Sequence, residues 1–291
     1  MSTCLNAPDK SSLTGRRALI TGAARGLGHK IAGAFHVAGA HVVATVRKSS
    51  DLDALQAEFG CERFEVHYLD LADLGGVDRF AQGDVIASGV DILVNNAALQ
   101  GPIGPIDSNA LEDWTACIAV NLIAPAALIR AVLPAMRERN YGRIINISGG
   151  GAAGSRPNFT AYAAAKTGLV RLTECVAEEV RDLNITVNAV APGAMSSAMT
   201  AAVLEAGPEL AGCNDYAAAT RLVAKGADGR GRAVDLCVAL AAAGTGVSGR
   251  LIAAQWDPWS EFDILADIIN KSDVYTLRRI VPKDRGDDWG G

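Results

Sequence analysis

Arg16-Arg17-Ala18-Leu19-Ile20-Thr21-Gly22-Ala23-Ala24-Arg25-Gly26-Leu27-Gly28 is the stretch that decides the fold. Arg16 to Ile20 is a short apolar run closed by Thr21-Gly22, the pattern of a buried strand and a turn. Ile31 to Ala38 then reads as helix, stopped by Gly39. Glycines between a strand and a helix let the backbone approach a pyrophosphate, and the helix N-terminus attracts its charge.

The same alternation repeats outward from this unit. His41–Val46, Phe64–Leu69, Asp91–Asn95, Gly142–Ser148, Asn184–Val190 and Gly249–Ala254 read as further strands. Helices are predicted at Leu52–Phe59, Val77–Ala87, Thr160–Leu183, Ala198–Glu205, Tyr216–Lys225 and Arg232–Ala243. A long helix is predicted to open on a capping box at Asn109 and Glu112 and to run to about Arg139. Continuously apolar strands alternating with helices belong to an α/β fold, a doubly wound parallel sheet of about seven strands covered on both faces. Residues 1–14 read as a loose leader, 15–255 as one domain and 256–291 as a tail.

The 291 residues are 49% hydrophobic but only 5% aromatic, so the core must be aliphatic. A net charge of −5 argues against a nucleic-acid binder. Six scattered cysteines and four histidines without ligand spacing suggest reduced thiols and no metal site. The first residues are polar and lack a signal-peptide apolar region. The uncharged run Leu183–Leu204 contains Pro192-Gly193 and reads as strand, turn and helix start rather than as a membrane span. The expected protein is soluble and cytoplasmic.

Tyr162 and Lys166 lie four residues apart on a helix that Thr160 is predicted to cap, so they share one face. An ammonium ~4 Å from a phenol, at an effective dielectric of ~20, attracts the phenolate by about 4 kcal/mol. That would lower the tyrosine pKa by up to about three units and suit it to trade protons with a hydroxyl or carbonyl oxygen. Arg47-Lys48 follow the second strand, where a doubly wound fold faces the adenosine ribose. Basic residues there, with Arg25, suit the 2′-phosphate of NADP(H) rather than NAD.

Taken together, Thr21–Gly28, Asn95-Asn96-Ala97-Ala98, Asn121, Tyr162 with Lys166, and Pro192-Gly193 resemble the short-chain dehydrogenase/reductase family over about residues 14–256. The resemblance implies a Rossmann-like fold and a small-molecule alcohol or ketone as substrate. It also implies a homodimer or homotetramer. In its terms Tyr162 is the proton donor and acceptor. Lys166 holds the nicotinamide ribose, and Asn121 helps order a relay water. Gly22, Arg25, Gly26, Leu27 and Gly28 form the cofactor loop. Asn95 braces the sheet near the cofactor and Ala97 lies close to the adenosine. Asp70 and Leu71 are similar to residues beside the adenine, Pro192-Gly193 to the turn beside the nicotinamide, and Ser197 to a contact of its carboxamide. Residues 194–231 correspond to the substrate lid.

Two departures stand out. Ala98 replaces a usual glycine. Gly149 occupies the position of the usual catalytic serine, with Ser148 one residue earlier. Ser148 is the expected substitute; otherwise N–H groups of Gly149-Gly150-Gly151 must stabilise the oxyanion. In the tail, Arg278, Arg279, Lys283 and Arg285 are candidates to bind an anionic group of a sugar-like or charged substrate. A packing arm across a subunit interface is the plainer reading of the tail. The expected activity is NADP(H)-dependent interconversion of a secondary alcohol and a ketone. A 3-oxoacyl-thioester reductase and a non-catalytic dinucleotide sensor are its rivals.

Overall fold

The computed structural model describes residues 12–226, 229–242 and 246–289. Most of the expected leader therefore lies outside the described residues. The chain runs β1 (Arg17–Ile20), α1 (Gly26–Val37), β2 (His41–Val46), α2 (Ser50–Phe59), β3 (Phe64–Tyr68), α3 (Leu74–Ala81), α4 (Asp84–Ala87) and β4 (Ile92–Asn95). It continues with α5 (Leu111–Ile118), α6 (Ala124–Glu138), β5 (Gly142–Ile147), α7 (Thr160–Glu179), β6 (Ile185–Ala191), α8 (Ala198–Ala211), α9 (Cys213–Lys225), α10 (Arg230–Ala241), β7 (Leu251–Ala253) and α11 (Phe262–Asn270).

All described strand pairs are parallel, in the order β3-β2-β1-β4-β5-β6-β7. Successive strand residues point to opposite faces, and both faces are buried. Ala18, Ile20, Val42, Ala44, Ile92 and Val94 pack with α1 and α10, while Leu19, Val43, Leu93, Ile144 and Val187 pack beneath α6 and α7. The sheet reverses its winding between β1 and β4, and their C-terminal ends open a crevice where such folds bind ligands.

Several local predictions change. Val77–Ala87 splits into α3 and α4 at Gln82-Gly83, and Asp73 caps α3 by accepting from Gly76 N–H at 3.0 Å. The capping box at Asn109 does not form; Ala110 precedes α5 and the Asn109 amide donates to the Gly104 carbonyl at 3.4 Å. Thr160 is the first residue of α7 and not its cap, because its hydroxyl accepts from the Trp114 indole at 3.4 Å. The long helix carries a π turn, Ala119–Ile123, between α5 and α6. Residues 111–138 are long and apolar enough to span a bilayer, but Leu128, Ile129, Val132 and Met136 are core residues.

The core does not stop at residue 255. Trp259, Phe262 and Ile269 join the layer of α1 and α10, and Phe262 is completely buried. Leu13, in the expected leader, is buried there too. The stretch of the tail from Trp259 to Ile269 thus packs on its own chain.

Candidate active site

Alanines at 161, 163, 164 and 165 keep the start of α7 slim, so it packs closely beside β5 and buries Tyr162 and Lys166 one turn apart. Lys166 is 1% exposed, and its ammonium donates to the Ile147 carbonyl at 2.7 Å. Burial lowers its pKa to about 8. Burial likewise pushes the Tyr162 phenol up to about 12, with Arg156 the main opposing charge. The expected lowering of the tyrosine pKa by Lys166 is therefore not what this arrangement produces. The amine is turned onto a backbone carbonyl and lies 5.7 Å from the Tyr162 ring centroid.

Asn121 is fully buried inside the π turn, a feature frequent at functional sites. Its amide donates to the carbonyls of Leu99 (2.7 Å) and Cys117 (2.9 Å), and its oxygen accepts from Leu99 N–H. It thereby ties the segment after β4 to the helix. A second chain of buried amides runs across the sheet. Asn95 donates to Asn146 at 2.9 Å, and Asn146 to Thr173 of α7 at 2.8 Å. Sequence reasoning missed Asn146 and Thr173. The signal for Asn146 was an amide in the middle of the apolar strand Gly142–Ser148.

Ser148 stays in the ladder, its N–H bonded to the Val190 carbonyl at 2.8 Å. Alternation sets it on the face of Asn146, toward α7. Its buried hydroxyl has no hydrogen-bond partner among the described residues. Gly149 lies against Tyr162: a Cβ there would run into the phenol oxygen. The serine position of the family pattern is thus filled from the tyrosine side. Over this floor, Trp114 and Met199 of α8 pack on Tyr162 and Cys117.

The glycine loop fits a dinucleotide. Gly22 and Gly28 are needed for packing, since a Cβ on Gly22 would meet Ala97 at 2.8 Å and one on Gly28 would strike Asn96. Asn96 donates to the Thr21 carbonyl at 2.8 Å, and the Thr21 hydroxyl accepts from Asn96 and Ala97 N–H, so the segments after β1 and β4 form one unit. Gly26, at φ 67°, faces open space and no side chain caps α1, which leaves room for an anion at the helix start. Leu27 turns into the core. Arg25, Arg47 and Lys48 are exposed and form no ion pair among the described residues. Asp70 accepts from Ala72 N–H at 3.0 Å, and Leu71 is buried.

Ser197 caps α8, accepting from Thr200 N–H at 3.4 Å. Pro192 and Gly193 are gripped by Gln255, whose amide donates to the carbonyls of Pro192 (3.2 Å) and Gly229 (2.7 Å). Nothing in the sequence had marked Gln255. The tail cations are not brought to Tyr162. Arg278 pairs with Asp273 (2.6 Å) and Asp284 (2.7 Å) beside a cleft of about 630 Å³ on the outer side of residues 151–155. Arg279, Lys283 and Arg285 are exposed.

Comparison with known proteins adds four findings. The short chain dehydrogenase family model matches residues 16–207. A D-beta-hydroxybutyrate dehydrogenase of Cupriavidus necator is 36% identical over 188 residues, 62% of this chain and 71% of that protein. A 3-oxoacyl-acyl-carrier-protein reductase of Synechocystis sp. is 36% identical over 195 residues, 65% of this chain and 78% of that one. A protein of Beutenbergia cavernae assigned as an NAD(P)-dependent gluconate 5-dehydrogenase, solved with bound NADP, is 33% identical. It superposes with a TM-score of 0.72 over 84% of this chain and 97% of its own.

Proposed function

Because the chain belongs to the short-chain dehydrogenase/reductase family, we propose that it interconverts a secondary alcohol and a ketone with NADP(H), on a polar, sugar-like or anionic small molecule. The observation that carries this reading is the Tyr162 phenol set against Gly149, one helical turn from a buried lysine. When bound, the nicotinamide supplies or accepts the hydride.

Residues of the chain do the rest. Tyr162 gives a proton to the substrate oxygen in reduction and takes one in oxidation. Its high pKa keeps it protonated at neutral pH, so that it has a proton to give, and Arg156 is the charge that favours its anion. Lys166 holds the cofactor ribose, while Asn121 fixes the segment after β4. Ser148 keeps a buried hydroxyl unspent, which costs about 1–3 kcal/mol unless a ligand uses it. It therefore suits the task of polarising the substrate oxygen.

Arg47, Lys48 and Arg25 support NADP(H) over NAD(H), since their exposed cations match a 2′-phosphate. The gluconate and hydroxybutyrate names of the relatives support a hydroxy acid as substrate. The Synechocystis relative favours a second reading, reduction of a 3-oxoacyl thioester. A cytoplasmic homodimer or homotetramer is part of the same proposal.

The test follows NADPH absorbance against a panel of ketones, oxo acids, keto-sugars and a 3-oxoacyl thioester. Turnover of an oxo acid or keto-sugar that drops at least ~100-fold in Tyr162→Phe is the expected result. Turnover of the thioester alone selects the second reading. Oxidation of NADPH by none of them leaves the dinucleotide sensor in place of both.

A further inference from the structure

Arg156 lies in the loop that leaves Gly149-Gly150-Gly151 and enters α7. Its guanidinium stacks 3.8 Å above the Phe159 ring. Phe159 is fully buried among Val203, Ala211 and Ala219 of the two helices above it. Asp215 of α9 takes one edge of the planar fork, accepting from Nε at 2.9 Å and pairing with Nη2 at 2.7 Å. Stacking and pairing together fix where the rest of the fork points. The other terminal nitrogen, Nη1, forms no bond among the described residues.

Gly150 gives the second observation. Its φ is ordinary, so backbone freedom does not require a glycine there. A Cβ built on Gly150 would meet only Arg156, with Nη1 at 3.9 Å and Cδ at 4.0 Å. The missing side chain therefore leaves the open edge of the guanidinium uncovered. The adjacent residue, Gly149, abuts the Tyr162 phenol. A cationic edge and a proton donor thus lie against two adjacent residues of one loop, Gly150 and Gly149.

We propose that Arg156 anchors a carboxylate of the substrate, with Asp215 and Phe159 holding the guanidinium and Gly150 keeping its approach clear. A planar fork matches a carboxylate in shape, and one face taken by Asp215 leaves the Nη1 face for the ligand. The substrate is then a hydroxy or oxo acid whose reacting carbon sits at Tyr162 while its carboxylate reaches Arg156. This refines the hydroxy-acid reading of the preceding subsection and rests on it. It moves the anionic subsite from the tail to the loop before α7.

The test is calorimetric titration of the NADP-loaded protein with 3-hydroxybutanoate and D-gluconate, each beside its neutral amide. At least one acid is expected to bind the parent ten times more tightly than its amide or better. In Arg156→Met the preference should shrink to twofold or less while the amide affinity holds. Gly150→Val, which keeps the charge but covers its edge, should do the same, and Arg156→Lys should restore part of the preference. No preference for acid over amide in the parent overturns the anchor, as does a preference that survives in Arg156→Met. Selective acid binding without any cofactor turnover would uphold the anchor and sink the oxidoreductase reading instead. Turnover without acid preference would do the reverse.

Discussion

Lys166→Met separates what this lysine does for the reaction from what it costs the fold. Methionine has a similar length and no charge. The ammonium is 1% exposed, and burial takes its pKa from 10.5 to about 8. At about 1.4 kcal/mol per pKa unit, roughly 3 kcal/mol weighs against the folded state at neutral pH. The substitution also removes the donor to the Ile147 carbonyl. Leaving that acceptor unmatched costs about 1–2 kcal/mol. The variant is therefore expected to be more stable than the parent by about 1–2 kcal/mol at pH 7, and nearly inactive. The gap should depend on pH in a defined direction. Between about 8 and 10.5 the unfolded chain still holds a proton that the folded chain has released. The parent therefore gains stability as pH rises through that window, and the advantage of the variant shrinks. Below about 8 both states are protonated and the gap is level. Urea unfolding of the cofactor-free proteins at neutral pH and near pH ~10, at one protein concentration, measures it. A variant less stable than the parent at neutral pH, or a gap that ignores pH, would refute the reasoning.

Three further outcomes are expected. Tyr162 stays protonated up to about 12, so ketone reduction should be level across neutral pH while alcohol oxidation climbs about tenfold per pH unit; initial rates in both directions check this. Arg47→Asp should weaken NADPH binding at least ~10-fold and leave NADH unchanged, as read by cofactor fluorescence; equal loss for both would remove the 2′-phosphate role. Ser148→Ala should lower kcat at least ~10-fold with unchanged NADPH affinity, and full activity would pass its task to the N–H groups of the glycine run.

The sheet was legible because its signals are local and repeated. A strand such as His41–Val46 is apolar on both faces, and the glycine loop sits at the join where only a doubly wound fold needs it. That Tyr162 and Lys166 share one face of a helix was legible from their spacing, and their place after the fifth strand singled the pair out. Their acidities were not, because burial depends on the whole packing of α7 against β5 and outweighs the pair attraction that spacing suggests. Thr160 and Asn109 looked like caps but bond to distant partners, and nothing in the local sequence announces Trp114 or Gly104. Arg156 was invisible for the same reason: its meaning comes from Asp215, far along the chain. The tail charges misled in the opposite way, since Asp273 and Asp284 lie near enough in sequence to neutralise Arg278.

Gln255 pins both roots of the segment that begins at Pro192 and returns at Gly229. One amide thus makes that segment a loop tied off at its base. Between those knots the segment is fastened again, by Met199 on Tyr162, by Val203, Ala211 and Ala219 around Phe159, and by Asp215 on Arg156. A segment grafted from a relative would therefore have to carry its own match for Asp215 and for the apolar cover of Phe159, or the loop before α7 would lose its hold.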